Sequence, residues 1–302
     1  MPALRVIVFT QGPLAVRICR SLSTMPETEL AGIYFERPVL RRRPLGERLR
    51  RQVAYYGFAG AVRRIAISFW RKAIHRSAPP TTAGVDDETA LRTIAAESRA
   101  VFLSASDLHA AHVLDSIREQ RADLGLVIGT TIVKPCLYDL PRLGSLNVHQ
   151  ALVPEYRGSS PHFWVLYDNV AISGVTIHRV VEKVDSGDVV LQATVPCIYD
   201  YEKYGADFER FILDFEAGLE DLSVQLMVEA VRRIALATAQ FTPQDASRAV
   251  RRRNPNYVQK RELRQRLKQR FLNQHGKPLA PVPADDLPHG SPCETPASTN
   301  RR

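Results

Sequence analysis

The chain has 302 residues, 45% hydrophobic and 24% charged, which fits a folded globular class with room for one large domain or two small ones. Its four cysteines, Cys19, Cys136, Cys197 and Cys293, are scattered with no C-x-x-C pair, which argues against a disulfide framework or a structural zinc module and fits a reducing compartment. The net charge of +9 is uneven: residues 36–78 carry twelve Arg/Lys against two Glu, residues 248–277 carry eleven against one, and the remainder is acidic, an asymmetry that points to an anionic partner, nucleic acid or membrane, or else to two solvated basic helices.

The opening "MPALRVIVFTQGPLAV" lacks a basic region followed by a clean apolar run, so no signal peptide is expected. No apolar run approaches the ~20 residues that span a bilayer, and a cytoplasmic location is expected. "LRVIVFT" (4–10) reads as a strand, Gln-Gly-Pro as a turn and "LAVRICRSL" as a helix. "ELAGIYFE" (29–36), "AVFLSA" (100–105), "LGLVIG" (124–129) and "GSLNVH" (144–149) read as further strands. Helices are expected at 87–98 and 110–124. Strands alternating with helices predict an α/β fold, a Rossmann-like, mostly parallel sheet with helices on both faces.

The second and third strands are split by a basic insertion at 36–80. Its part "AVRRIAISFWRKAIHR" places Val62, Ile65, Ala66, Phe69 and Ala73 on one helical face and Arg64, Arg71 and His75 on the opposite one. Either it caps the domain with a wet basic face, or it lies on a membrane or RNA. After residue 149 the pattern changes. "SSPHFWVLYDN" (159–169) reads as a short helix with Ser and Pro161 at its start. "GVTIHRVVEKV" (174–184) and "DVVLQATVP" (188–196), joined by "DSG", read as antiparallel strands. A long amphipathic helix is expected at about 205–238. A catalytic domain over 1–240, a basic helical extension over 241–275 and a disordered Pro/Ser/Thr-rich tail over 276–302 complete the expected organisation.

The first turn, Thr10-Gln11-Gly12-Pro13, lacks the G-x-G-x-x-G spacing of a dinucleotide site, although the amide end of the first helix suits an anion. The chemistry concentrates in 144–188. Alternation puts Asn147 and His149 on one side of a strand, at its carboxyl end, where doubly wound sheets place their sites. Asp185 lies in a tight turn from which a carboxylate can fold back onto His149. His manages protons near neutral pH, Asp holds an imidazole in one tautomer, and an Asn amide donates to an oxygen that becomes negative. No Ser or Cys stands in a nucleophile elbow, so direct transfer is expected over a covalent intermediate. From the residues alone, a catalytic His149 and a core histidine bonded to backbone remain alternatives. Arg157 suits either an anion clamp or a brace. His162 and Trp164 read as packing and His178 as structural. Arg251-Arg252-Arg253 reads as a solvated face, or with Tyr257 as an RNA contact.

The ordered set Asn147-Val148-His149, Leu152-Val153-Pro154-Glu155-Tyr156-Arg157-Gly158, Gly174-Val175-Thr176 and Asp185-Ser186-Gly187 resembles the signature of the folate-dependent formyltransferase family. The likeness is strong over about 100–200, weaker over 1–35, and absent over the insertion and tail. Gln150 and Ala151 stand where the family commonly shows Pro-Ser. The resemblance implies transfer of a formyl group from 10-formyltetrahydrofolate to an amine, without a metal. It implies Asn147, His149 and Asp185 as catalytic residues and Gly129, Thr130, Thr131, Ile132, Val184, Ser186 and Gly187 around the pterin. It places Gln11, Gly12, Tyr156, Arg157 and Gly158 toward the substrate. The phrasing "EYRGSSPHFW" is nearest to formyltransferases of amino sugars or related small molecules, nucleotide- or lipid-linked; a lipid-linked acceptor would place the chain at the inner face of a membrane. The alternatives are methionyl-tRNA formyltransferase, whose C-terminal β-barrel residues 240–302 are too short and helical to form, a formyltetrahydrofolate hydrolase, and a non-catalytic folate-binding module.

Overall fold

The computed structural model describes residues 2–38, seven positions between 46 and 62, and residues 83–205 and 207–274. The expected amphipathic helix at 61–76 and the tail at 276–302 lie outside the described residues, apart from Val62. Nine strands are described: β1 (Leu4–Thr10), β2 (Thr28–Glu36), β3 (Val101–Ala105), β4 (Leu124–Ile128), β5 (Ser145–His149), β6 (Arg157–Gly158), β7 (Ile172–Arg179), β8 (Val189–Pro196) and β9 (Arg251–Arg252). The helices are α1 (Pro13–Ser23), α2 (Ala83–Glu97), α3 (Ala111–Glu119), α4 (Pro135–Tyr138), α5 (Pro161–Asp168), α6 (Tyr201–Tyr204), α7 (Phe208–Ala235) and α8 (Tyr257–Gln274), with a 3₁₀ turn at Ala246–Arg248.

Seven strands form one sheet in the order β3-β2-β1-β4-β5-β7-β8. The first five are mutually parallel, and β7 and β8 extend the sheet antiparallel. A continuous apolar run belongs to a strand covered on both sides. Accordingly β1 sends Val6 and Val8 to a core shared with α1, α2 and α7, and Ile7 and Phe9 to one shared with α3. Both are fully buried, and each such side chain contributes about 1.5–3 kcal/mol. Helices thus cover both faces, as expected.

Two of the boundaries that differ from the sequence reading have a visible cause. The helix expected to reach residue 124 stops at Glu119, because Arg121 adopts φ 47 and Asp123 turns to bond Arg5 through its N–H and carboxylate. β7 ends at Arg179 rather than 184, since Val180 N–H bonds Ser145 O and the chain then leaves the sheet in a turn. Because β1, β2, β4 and β5 run in parallel, Thr10, Glu36, Ile128 and His149 close the same edge. That edge, at the β1/β4 reversal of strand order, is where an open α/β sheet forms a crevice.

The chain after α7 is strapped back onto the molecule. Thr242 and Val189 exchange both backbone bonds at 2.8 Å, and β9 pairs with β6. Leu263 and Leu267 of α8 are buried. Among the described residues no helix is long and apolar enough to cross a membrane.

Candidate active site

Asn147 and His149 lie on β5 opposite His178 and Thr176 of β7. His149 is 6% exposed. Its Nε2 lies 2.6 Å from the Tyr156 carbonyl. A carbonyl only accepts, so Nε2 carries the hydrogen and Nδ1 holds the lone pair of the neutral ring. Nδ1 lies 3.6 Å from Asp185 Oδ2. His149 is thus buried against a backbone partner, with its second nitrogen facing a carboxylate.

Asp185 sits at φ 53, a left-handed conformation that Asp tolerates better than most residues. Its Oδ2 accepts the Gly158 N–H at 2.8 Å, and Oδ1 lies 3.5 Å from His178 Nε2. Burial pushes the carboxyl up, but the His178 contact, the charges of His149 and His178 and the Gly158 N–H outweigh it and hold Asp185 below the ordinary value of 3.8. Burial pushes His149 below the ordinary 6.5; Asp185 and the Tyr156 carbonyl oppose this and His178 adds to it. The pair is therefore set as carboxylate beside neutral imidazole near neutral pH.

His178, read from sequence as structural, lies against both Asn147 and Asp185. In the neutral ring its Nδ1–H donates to Arg179 O at 2.8 Å, which leaves Nε2 to accept from Asn147 Nδ2 at 3.2 Å. This fixes the amide, whose second N–H has no partner among the described residues. The register Asn147↔His178 carried this signal, but only once β7 was known to pair with β5.

The loop after β5 is anchored by side chains of β7 and β8. Ala151 is fully buried and its carbonyl accepts from Thr176 Oγ at 2.7 Å. Gln192 Nε2 donates to Thr176 Oγ at 2.8 Å and to Val153 O at 3.1 Å. Arg157 is 3% exposed and directs Nε and Nη2 to Gln244 Oε1 at 3.0 and 2.6 Å. Of its two sequence readings, the geometry is that of a brace. Tyr156 is half-buried, with its hydroxyl 3.4 Å from Asp168. Gly158 has φ 100, and a Cβ there would fall 2.2 Å from Arg252 O.

The remaining expected residues lie in three loops, after β1, after β4 and between β7 and β8. Gly129 adopts φ 67 with open space where a Cβ would stand, and Ile132 is 71% exposed. Between them Thr131 is tied down by Glu36, which accepts its N–H at 2.8 Å and its hydroxyl at 2.5 Å. Glu36, buried at the end of β2, was not singled out from sequence. An open glycine beside an exposed apolar side chain suits a flat heteroaromatic ring, and the Asn147 amide suits a carbonyl oxygen, so these residues fit a formyl-bearing folate. Val184 and Ser186 flank Asp185, with Ser186 Oγ donating to Lys183 O at 2.6 Å. A Cβ on Gly187 would meet Arg179 O at 2.1 Å. Gln11 and Gly12 follow β1, two strands from β5 and so roughly 10 Å away; the Gly12 N–H bonds Thr10 Oγ at 3.3 Å. Among the described residues no cluster of His, Cys, Asp or Glu forms a metal-holding set.

Several basic residues of 248–277 are engaged within the chain. Arg248 pairs with Glu155, Arg252 with Asp168 at 2.5 Å, and Arg266 with Glu262 at 2.7 Å. Arg251 and Arg253 are exposed. Trp164 donates to Arg253 O at 2.9 Å, so the helix of the expected packing aromatics holds the extension down.

A family model described as formyl transferase matches residues 74–216. The methionyl-tRNA formyltransferase of Agathobacter rectalis is 32% identical over 137 residues, 45% of this chain and 41% of that protein. The chain thus matches less than half of that relative's length. Among solved structures, phosphoribosylglycinamide formyltransferase from Anaplasma phagocytophilum is similar with a TM-score of 0.53 and 16% identity, over 84% of this chain and 100% of the other. A sugar 3N-formyl transferase solved in the presence of dTDP and 5-N-formyl-THF gives 0.50 and 12%, over 84% and 71%. These likenesses establish the fold.

Proposed function

We propose that this chain, whose residues 74–216 match the formyl transferase family, moves a formyl group from 10-formyltetrahydrofolate to the amine of a small molecule, an amino sugar on a nucleotide or lipid carrier. The observation that carries the reading is the convergence of Asn147, His149, His178 and Asp185 over β5 and β7. With Nε2–H committed to Tyr156 O, His149 Nδ1 is the ring atom that takes the amine proton. The Asp185 carboxylate at 3.6 Å stabilises the imidazolium that results, which returns the proton to the folate nitrogen as its bond to the formyl carbon breaks. The second N–H of Asn147 donates to the formyl oxygen as it gains negative charge. The bound folate supplies an activated formyl carbon, held beside Gly129–Ile132 and the turn Val184–Gly187. Gln11, Gly12 and the loop Tyr156–Gly158 border the acceptor.

The test is release of tetrahydrofolate by purified protein in the presence of an amine panel that includes sugar nucleotides. Release that needs a sugar amine supports the proposal; release without any acceptor identifies a hydrolase. Failure to bind a folate analogue would leave no formyl-transfer reading standing. A second reading, formylation of initiator methionyl-tRNA, is favoured by the 32% identical relative and by the exposed Arg251 and Arg253. It predicts tRNA binding that weakens steeply with salt, with 36–78 and 248–277 as the phosphate contacts.

A further inference from the structure

The site is tied together from 59 residues further along the chain than Asp185, by Gln244. Gln244 Oε1 accepts both Nε and Nη2 of Arg157, at 3.0 and 2.6 Å. Its Nε2 donates to Asp185 O at 3.1 Å and to Gly187 O at 2.6 Å. One side-chain amide thereby joins the loop after β5 to the turn that carries Asp185. Two backbone anchors hold Gln244 there: the Thr242–Val189 pair just before it, and the β6–β9 pairing just after. The close approach of Arg252 O to Gly158 adds a second sign that this passage is built in, since only a glycine leaves room for it.

We propose that Gln244 is a positioning residue for the reaction: it holds the Asp185 turn against the loop bearing the Tyr156 carbonyl, and so sets the His149–Asp185 separation. The inference rests on the formyl-transfer reading and deepens it. Asp185 occupies a left-handed conformation that persists only where the surroundings over-determine it. The bonds from Gln244 grip the carbonyls of residues 185 and 187, one on Asp185 itself and one two residues on. The same amide supplies two acceptor contacts to a buried guanidinium, which without them would be costly to bury. Gln244 touches neither His149 nor Asn147 by hydrogen bond in this network; it acts through the turn.

The experiment uses the full chain with Gln244→Met, which keeps the length and removes both polar ends. Gln244→Glu keeps the acceptor for Arg157 and removes the donors to the turn. Two readouts are taken on variants shown folded by circular dichroism. The first is kcat and KM from tetrahydrofolate release; the second is the His149 titration from imidazole proton NMR. Gln244→Met is expected to lower kcat about ten- to hundredfold, with the KM for the folate donor within about threefold. Its His149 titration moves to lower pH, because the Asp185 charge that opposes the burial effect is released. Gln244→Glu is expected to lose kcat similarly. A Gln244→Met protein with unchanged His149 titration and kcat within twofold would overturn the proposal. So would Gln244→Glu at wild-type kcat. The NMR readout needs no substrate: a wild type inactive with every acceptor would end the formyl-transfer reading, while the titration would still decide whether Gln244 sets the His149–Asp185 pair.

Discussion

Replacing Asp185 by Asn isolates the charge in the proposed mechanism. Asn has nearly the same volume, tolerates φ 53, and can still accept the Gly158 N–H through Oδ1. What disappears is an anion 3.6 Å from His149 Nδ1, in a pair whose side chains are 7% and 11% exposed. At an effective dielectric near 20, two unit charges at that distance interact by about 4–5 kcal/mol. Both charges are delocalised, so about 2–4 kcal/mol is expected for the step that forms the imidazolium, or roughly 30- to 1000-fold in kcat. The assay is tetrahydrofolate release at saturating donor and acceptor between pH 7 and 8.5, where His149 is neutral in both proteins. Because Asp185 opposes the downward shift of His149, its loss also moves the acid limb of the kcat profile to lower pH. A folded Asp185→Asn enzyme with kcat within about threefold of wild type would refute the assignment.

Gly158→Ala would force a Cβ to 2.2 Å from Arg252 O at φ 100; about 1–3 kcal/mol of stability should be lost in urea unfolding, together with activity, and a loss under 0.5 kcal/mol would mean the strap yields freely. Thr176→Val leaves the buried Ala151 carbonyl without its 2.7 Å donor and should cost about 1–3 kcal/mol, read as a lower urea midpoint at unchanged slope. Acidification should destabilise the fold in two stages. His149 and Asp185 both have folded-state values below their ordinary 6.5 and 3.8, so the unfolded chain binds protons first and stability present above those values is lost as pH falls below each. A thermal midpoint that stays flat or rises from pH 7 to 5 would contradict the His149 part.

Much of this site was legible in the chain. The period of two in "SLNVH" put Asn147 and His149 on one face, and the parallel α/β pattern put them at a carboxyl edge. Gly158 and Gly187 stood in the motifs because backbone carbonyls pass within 2.2 and 2.1 Å of where a Cβ would be. The partners of these residues were not legible. His178 reads as one more residue of an alternating strand until the β5–β7 register sets it opposite Asn147. Glu36 reads as the end of a strand until the loop after β4 descends onto it. Gln244 lies in a stretch with no periodicity at all, 87 residues from Arg157.

Local order along a chain follows from backbone geometry and the spacing of apolar groups, so element types, the site-bearing strand and the turn glycines were determined by the amino-acid sequence itself. Which nitrogen of His149 holds its hydrogen, which way the Asn147 amide faces and how Asp185 is restrained were decided only by tertiary structure. Each depends on a hydrogen-bond partner brought from a distant segment, and such a partner leaves no periodic trace near the residue it fixes.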